Sequence, residues 1–188
     1  GQYIEIEQVA YYGVAIYIAT VIGVPARSMH QITNPITAVF LNNNDKPALR
    51  SLYKKSSINL FVISGLIFLC IVLNINELYK IIPDEFSVAL LVVFLVSLAK
   101  LFDNLLGNNN AILFNSDYYR VVLVLGVVLA ILTVVLNILL IPDYGINGAA
   151  LATFISIFIY NSAKLIFVYY KFKMLPFSTN TLKTFILI

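Results

Sequence analysis

Runs of apolar residues divide this chain into five segments, each long enough to cross the hydrocarbon core of a membrane. Crossing that core takes about 20 mostly apolar residues in helical form. The pattern therefore predicts an all-α, polytopic membrane helix bundle, with helices at residues 8–41, 57–75, 86–115, 121–141 and 146–170. The apolar residues at 184–188 predict the start of a sixth transmembrane helix.

Charged residues between these segments predict how the bundle is oriented. Because the connections are short, consecutive helices alternate in direction. One side then collects eight basic residues, namely Lys46, Arg50, Lys54, Lys55, Arg120, Lys171, Lys173 and Lys183. The other side has Lys80 and the acidic residues Glu5, Glu7, Glu77, Asp84, Glu85 and Asp143. The positive-inside rule predicts that the basic side faces the cytoplasm.

The composition excludes several classes of protein. Of 188 residues, 61% are hydrophobic and 11% are charged, whereas soluble domains carry about 25% charged residues. The net charge of +3 does not predict a nucleic-acid partner. With one histidine, one cysteine and no catalytic motif, the chain is predicted to be no enzyme and to use no metal or cofactor.

A polar stripe interrupts the first predicted helix between Pro25 and Pro35. Arg27, His30, Gln31 and Asn34 fall on one face at helical spacing. Arg27 lies at mid-span, where its guanidinium has no route to the headgroups, so a water-filled cavity is its favoured environment. His30 has two interpretations, a role in transport or proton coupling and a hydrogen bond to a neighbouring helix.

The third predicted helix carries a second polar face, made of Ser97, Lys100, Asp103, Asn104, Gly107 and Asn108. Its apolar residues favour insertion by roughly 4 to 8 kcal/mol, while Lys100 and Asp103 cost about 5 to 7 kcal/mol together. Because these terms nearly cancel, the two charges need either a cavity or mutual pairing as an ion pair.

The fifth predicted helix also carries polar residues on one face, namely Thr153, Ser156, Tyr160 and Lys164. Lys164 either faces the cavity or extends its amine to the cytoplasmic headgroups. The sequence thus predicts a shared cavity lined by Arg27, His30, Gln31, Asn34, Lys100, Asp103, Asn104, Asn108 and Lys164.

One stretch of the chain resembles a known family. Residues Asn137 to Thr153, NILLIPDYGINGAALAT, are similar to the N-x-x-L-I-P-x-Y-G-x-x-G-A-A-x-A-T signature of Wzx-type oligosaccharide flippases. These belong to the multidrug/oligosaccharidyl-lipid/polysaccharide exporter superfamily. Weaker landmarks are Gly107 to Asn109, Ser116 to Arg120, and the run from Tyr12 through Pro25 to Ile36.

The resemblance implies a two-lobed transporter working by alternating access, of which residues 1–188 would form part of the second lobe. Its partners would be membrane lipids, the first lobe and an undecaprenyl-pyrophosphate-linked oligosaccharide, flipped across the bacterial inner membrane for surface polysaccharide biosynthesis. Under this resemblance the basic residues Arg27, Lys100 and Lys164 would suit the pyrophosphate. The residues suited to the sugars would be His30, Gln31, Asn34, Asn104 and Asn108.

Two other functions stay open at this point. A drug/cation antiporter of the same superfamily would carry acidic residues in its cavity, and Asp103 is the one carboxylate predicted within a span. A membrane enzyme of polysaccharide assembly would carry a large loop with His, Arg or Asp, and the predicted loops are short.

Overall fold

The computed structural model describes residues 5–178 and residue 181. Within that part of the chain every regular element is helical, which confirms the all-α class. Four helices are long and apolar enough to cross a membrane, and they span Ile6–Asn42, Lys46–Leu73, Glu85–Leu105 and Tyr119–Phe172. These four helices are fewer than the five predicted, because the last of them contains both of the segments predicted at 121–141 and 146–170. The sixth falls on residues outside those described.

The first span consists of two helices joined by a tight turn. Helix α1 covers Ile6–Thr20 and helix α2 covers Val24–Asn42, with a 3-10 turn at Val21–Gly23 between them. The turn comes directly before α2, whose second residue is Pro25. Proline is tolerated in the first turn of a helix because the missing N–H is not needed there. Helical hydrogen bonding is thus interrupted near the middle of the span.

Helix α3 covers Lys46–Leu73 and begins well before the apolar segment predicted at 57–75. The Asp45 carboxylate accepts a hydrogen bond from the Ala48 backbone N–H at 3.0 Å. This N-cap, together with Pro47 in the first turn, starts the helix among lysines that hydropathy alone places outside the membrane. A short helix α4, Ile75–Tyr79, follows.

The third predicted helix, 86–115, is divided in the structure. A 3-10 helix at Asp84–Ala89 leads into α5, Leu90–Leu105, and a separate helix α6 covers Asn109–Phe114. The break falls at Gly107, whose φ of +56° is readily adopted by glycine. A Cβ atom at this glycine would lie 2.6 Å from the Ser57 backbone nitrogen, so the break also permits a close approach to α3.

Helix α7, Tyr119–Phe172, is a hairpin with two limbs. Gly145 has φ 56° and ψ −134°, outside the helical region. A straight helix of this length would be about 80 Å long, yet the rings of Tyr118 and Phe172 lie 5.8 Å apart between centroids. The limbs at 119–144 and 146–172 therefore run side by side, and each exceeds the roughly 30 Å hydrocarbon core.

Two apolar clusters lie at opposite ends of the bundle. One contains Leu49, Tyr53, Ile112, Val122, Val168 and Met174. The other contains Ala15, Ile18, Tyr79, Val93, Ile146 and Ala150. The first cluster adjoins the basic connections and the second adjoins the acidic ones, apart from Lys183, which is outside the described residues. The bundle therefore has one basic end and one acidic end.

The glycine at the α5–α6 break provides a test of this packing. We expect Gly107→Ala to destabilise the full-length protein by at least about 2 kcal/mol, because a left-handed alanine costs roughly 1 to 2 kcal/mol and the new methyl group overlaps Ser57. Gly126→Ala is the matched control, since nothing lies within 4 Å of its Cβ position. Thermal unfolding in detergent measures both, and equal Tm values would contradict the close approach.

Candidate polar cavity within the bundle

A layer of hydrogen bonds crosses the middle of the bundle at the 3-10 turn of the first span. The Asn104 side-chain nitrogen donates to the Ile22 carbonyl oxygen at 2.8 Å and to Ser64 Oγ at 2.6 Å. Ser64 Oγ in turn donates to the same carbonyl at 3.2 Å. Because the turn interrupts the helical ladder, this carbonyl accepts bonds from two other helices, α3 and α5.

A second layer lies nearer the basic end. The Asn108 side-chain nitrogen donates to Thr37 Oγ1 at 2.8 Å, and its carbonyl oxygen accepts from Ser56 Oγ at 3.1 Å. Nearby, Ser57 Oγ donates to the Leu105 carbonyl at 2.6 Å. Asn104 is 4% exposed and Asn108 is 0% exposed. In this structure the amides of these two predicted site residues bind neighbouring helices.

Three other predicted residues come together around one cavity. Its volume is about 180 Å³, and it lies between α5, α6 and both limbs of α7. Lys100, Asp103 and Lys164 all line it. The remaining walls are Ala99, Asn110, Leu129, Ile157, Tyr160 and Asn161.

Lys164 is the most deeply buried charged residue of this cavity, with 1% of its surface exposed. Its Nζ donates to Asn110 Oδ1 at 2.8 Å and lies 4.2 Å from the centroid of the Tyr160 ring. The amine is thus directed into the bundle and not along the helix toward the headgroups.

Lys100 and Asp103 are both half-buried at the cavity wall. The ion pair found within the described residues joins Lys80 to Glu77 at 2.6 Å, so the i, i+3 pair that the sequence allows between Lys100 and Asp103 is not formed there. The cavity therefore holds two cationic side chains and one carboxylate without a direct ion pair.

The sequence pattern did not identify two asparagines of this cavity, Asn110 and Asn161. Asn161 is 0% exposed, and neither its side-chain oxygen nor its nitrogen has a hydrogen-bond partner in the described structure. Leaving such a buried group unpaired costs about 1 to 3 kcal/mol. The sequence feature that could have identified Asn161 is its position in an apolar segment, three residues before Lys164.

The polar stripe of α2 is divided between the interior and the surface. His30 is half-buried. Arg27, Gln31 and Asn34 are exposed on the outer surface of the described bundle. Their position in a common cavity with Lys100 stays a prediction.

Comparisons with family models, with curated proteins and with solved structures returned no match for this chain.

Asn104 and Asn110, whose side chains bond to different kinds of group, give a paired prediction. Asn104→Asp removes both donated hydrogen bonds and brings a carboxylate against the Ile22 carbonyl, so we expect a loss of roughly 2 to 4 kcal/mol. Asn110→Asp keeps the acceptor for Lys164 and adds an opposite charge, so we expect no loss of stability. Thermal unfolding of the full-length variants measures both, and the reverse order would contradict the assigned amide roles.

Proposed function

We propose that this chain is part of a membrane transporter that flips undecaprenyl-pyrophosphate-linked oligosaccharide across the bacterial inner membrane by alternating access. The observation that carries the proposal is the cavity containing Lys100, Asp103 and Lys164 inside a bundle of membrane-spanning apolar helices. Ionisable residues within such helices are costly and usually mark substrate or ion pathways.

The chemistry of the cavity suits an anionic, hydroxyl-rich cargo. Two ammonium groups against one carboxylate leave a positive balance, which favours a pyrophosphate. The unpaired amide of Asn161 offers two N–H donors and one acceptor oxygen to hydroxyl groups. A volume of about 180 Å³ holds one small polar group and not an oligosaccharide, so the sugars would extend beyond this cavity.

The exposed polar residues of α2 support the proposal that a first lobe packs against the surface on which they lie. Arg27, Gln31 and Asn34 form a polar surface in the middle of an apolar span. Lipid tails provide no hydrogen bonds to such a surface. Under the proposal, the first lobe of the transporter faces it across the aqueous passage and gives Arg27 access to the same cargo.

A drug/cation antiporter of the same superfamily is the second candidate, and one observation favours it. Asp103 lines the cavity and forms no ion pair within the described residues. A carboxylate in this position would attract a cation or exchange a proton. The two candidates differ in which charge the cargo requires, and this difference can be tested.

The flippase proposal predicts that both cavity lysines are needed. We expect Lys100→Gln and Lys164→Gln each to reduce complementation of a flippase-null strain by the full-length protein about ten-fold or more, because each removes a charge-assisted bond worth about 1.5 to 3 kcal/mol. Lys55→Gln, at an exposed site outside the cavity, is the control. Normal surface polysaccharide in both cavity variants, at equal expression, would refute the proposal.

Asp103→Asn separates the two candidate functions. For an anionic cargo, neutralising Asp103 raises the positive potential of the cavity, so we expect complementation to fall less than in either lysine variant. For a cation antiporter, the same change would abolish drug resistance and leave surface polysaccharide unaffected. Both readouts on the same strains decide between the two functions.

A further inference from the structure

A second and larger cavity lies at the basic end of the bundle, away from the polar cavity described above. Its volume is about 760 Å³, and it opens between the start of α3 and the end of α7. Four of its lining residues are basic, namely Lys46, Arg50, Lys54 and Lys173. The others are Pro47, Ser51, Phe172 and Met174, so none of the residues that line it is acidic.

The charges of this basic cavity are poorly balanced by the protein itself. Lys46, Arg50 and Lys54 follow each other at four-residue spacing, which places them on one face of α3. Lys46 lies in the first turn of the helix, where the helix dipole disfavours cations and favours anions. The N-cap carboxylate of Asp45 is the nearest acidic group in sequence, and it accepts a bond from Ala48 N–H.

Among the described residues, none of these four basic side chains forms an ion pair. The ion pair that is found joins Lys80 to Glu77 at the opposite end of the bundle. Four cations around one cavity repel one another, and an anion bound between them reduces that repulsion. The cavity therefore favours a ligand with at least one full negative charge and several acceptor oxygens. A phosphate group has both properties.

The surroundings of the basic cavity indicate that this phosphate belongs to a lipid. Phe172 and Met174 provide an apolar wall, and Met174 is 3% exposed. Beside them, Tyr169 and Tyr170 are exposed, and the Lys173 amine lies 5.9 Å and 5.2 Å from their ring centroids. Exposed tyrosines with adjacent lysines at the end of an apolar helix are typical of the membrane–water interface.

The backbone at Lys173 contributes to this arrangement. Lys173 has φ 56° and ψ 36°, a left-handed conformation that is uncommon for a residue other than glycine. Its N–H still bonds to the Tyr169 carbonyl at 3.0 Å. This conformation ends α7 and turns the chain, with Lys173 at the basic cavity and Met174 in the apolar cluster beside Leu49.

We propose that the basic cavity binds the phosphate of an anionic phospholipid from the cytoplasmic leaflet, with Arg50 and Lys54 as its main contacts. Basic residues just cytoplasmic of a membrane helix attract anionic headgroups, each with a favourable contribution. The proposal requires the bundle to be embedded in a membrane with its basic end inside. It does not require the bundle to transport anything.

Native mass spectrometry of the full-length protein, exchanged with mixed phosphatidylglycerol and phosphatidylcholine micelles, tests this site. We expect wild type to retain phosphatidylglycerol preferentially, and Arg50→Gln/Lys54→Gln to lower that retention about ten-fold or more. The matched control is Lys55→Gln/Lys171→Gln, which removes two charges from the same helix ends at exposed positions outside the cavity. Equal loss in both double variants would show diffuse attraction and overturn the proposal.

Two further measurements test whether the site depends on charge and whether its phosphate belongs to a lipid. Arg50→Lys/Lys54→Arg preserves both charges, so retention within about two-fold of wild type is expected, and a loss as large as that of the glutamine variant at unchanged Tm would overturn a charge-based site. Inorganic phosphate and glycerol 3-phosphate are then added as competitors. Displacement of the lipid by either at micromolar concentration would show a site for a soluble phosphate and refute the lipid assignment.

Discussion

Hydrogen bonds from buried asparagine and serine side chains to other helices determine how this bundle is assembled. In a membrane, lipid tails are as apolar as leucine, so apolar surface alone gives helices little reason to prefer one register. Hydrogen bonds supply that preference here. Asn104 joins α5 to the turn of the first span and to α3, and Asn108 joins the start of α6 to α2 and α3. Moving α3 by one turn would break both layers, because Ser64 and Ser56 both lie on it.

The irregular points of the backbone are what make these bonds possible. The 3-10 turn at Val21–Gly23 leaves the Ile22 carbonyl open to two side chains. The break at Gly107 brings the end of α5 against Ser57, whose hydroxyl then reaches the Leu105 carbonyl. A continuous helix would use both carbonyls in its own ladder. The interruptions and the polar layers therefore depend on each other.

Hydropathy and charge predicted the class of fold and its two ends, because both follow from composition summed over many residues. Helical spacing also placed Lys100, Asp103 and Lys164 on polar faces, and the structure brings these three to one cavity. Spacing does not encode which neighbour a face meets, so Asn104 and Asn108 were indistinguishable from Asp103 in the sequence. The Gly107 break was equally hidden, since it depends on contact with Ser57, which is fifty residues earlier in the chain.

The two cation-lined cavities lie at different depths along the second limb of α7. Lys164 and Lys173 are nine residues apart in the sequence, which corresponds to about 14 Å along a helix axis, or roughly half of the hydrocarbon core. The two phosphorus atoms of one pyrophosphate are far closer together than that, so one such group does not occupy both cavities. A phospholipid held at the basic end would therefore leave Lys100 and Lys164 free. Under the flippase proposal, the anion at the inner cavity would have to descend below the headgroups, which would distinguish a transported cargo from the lipids that surround the protein.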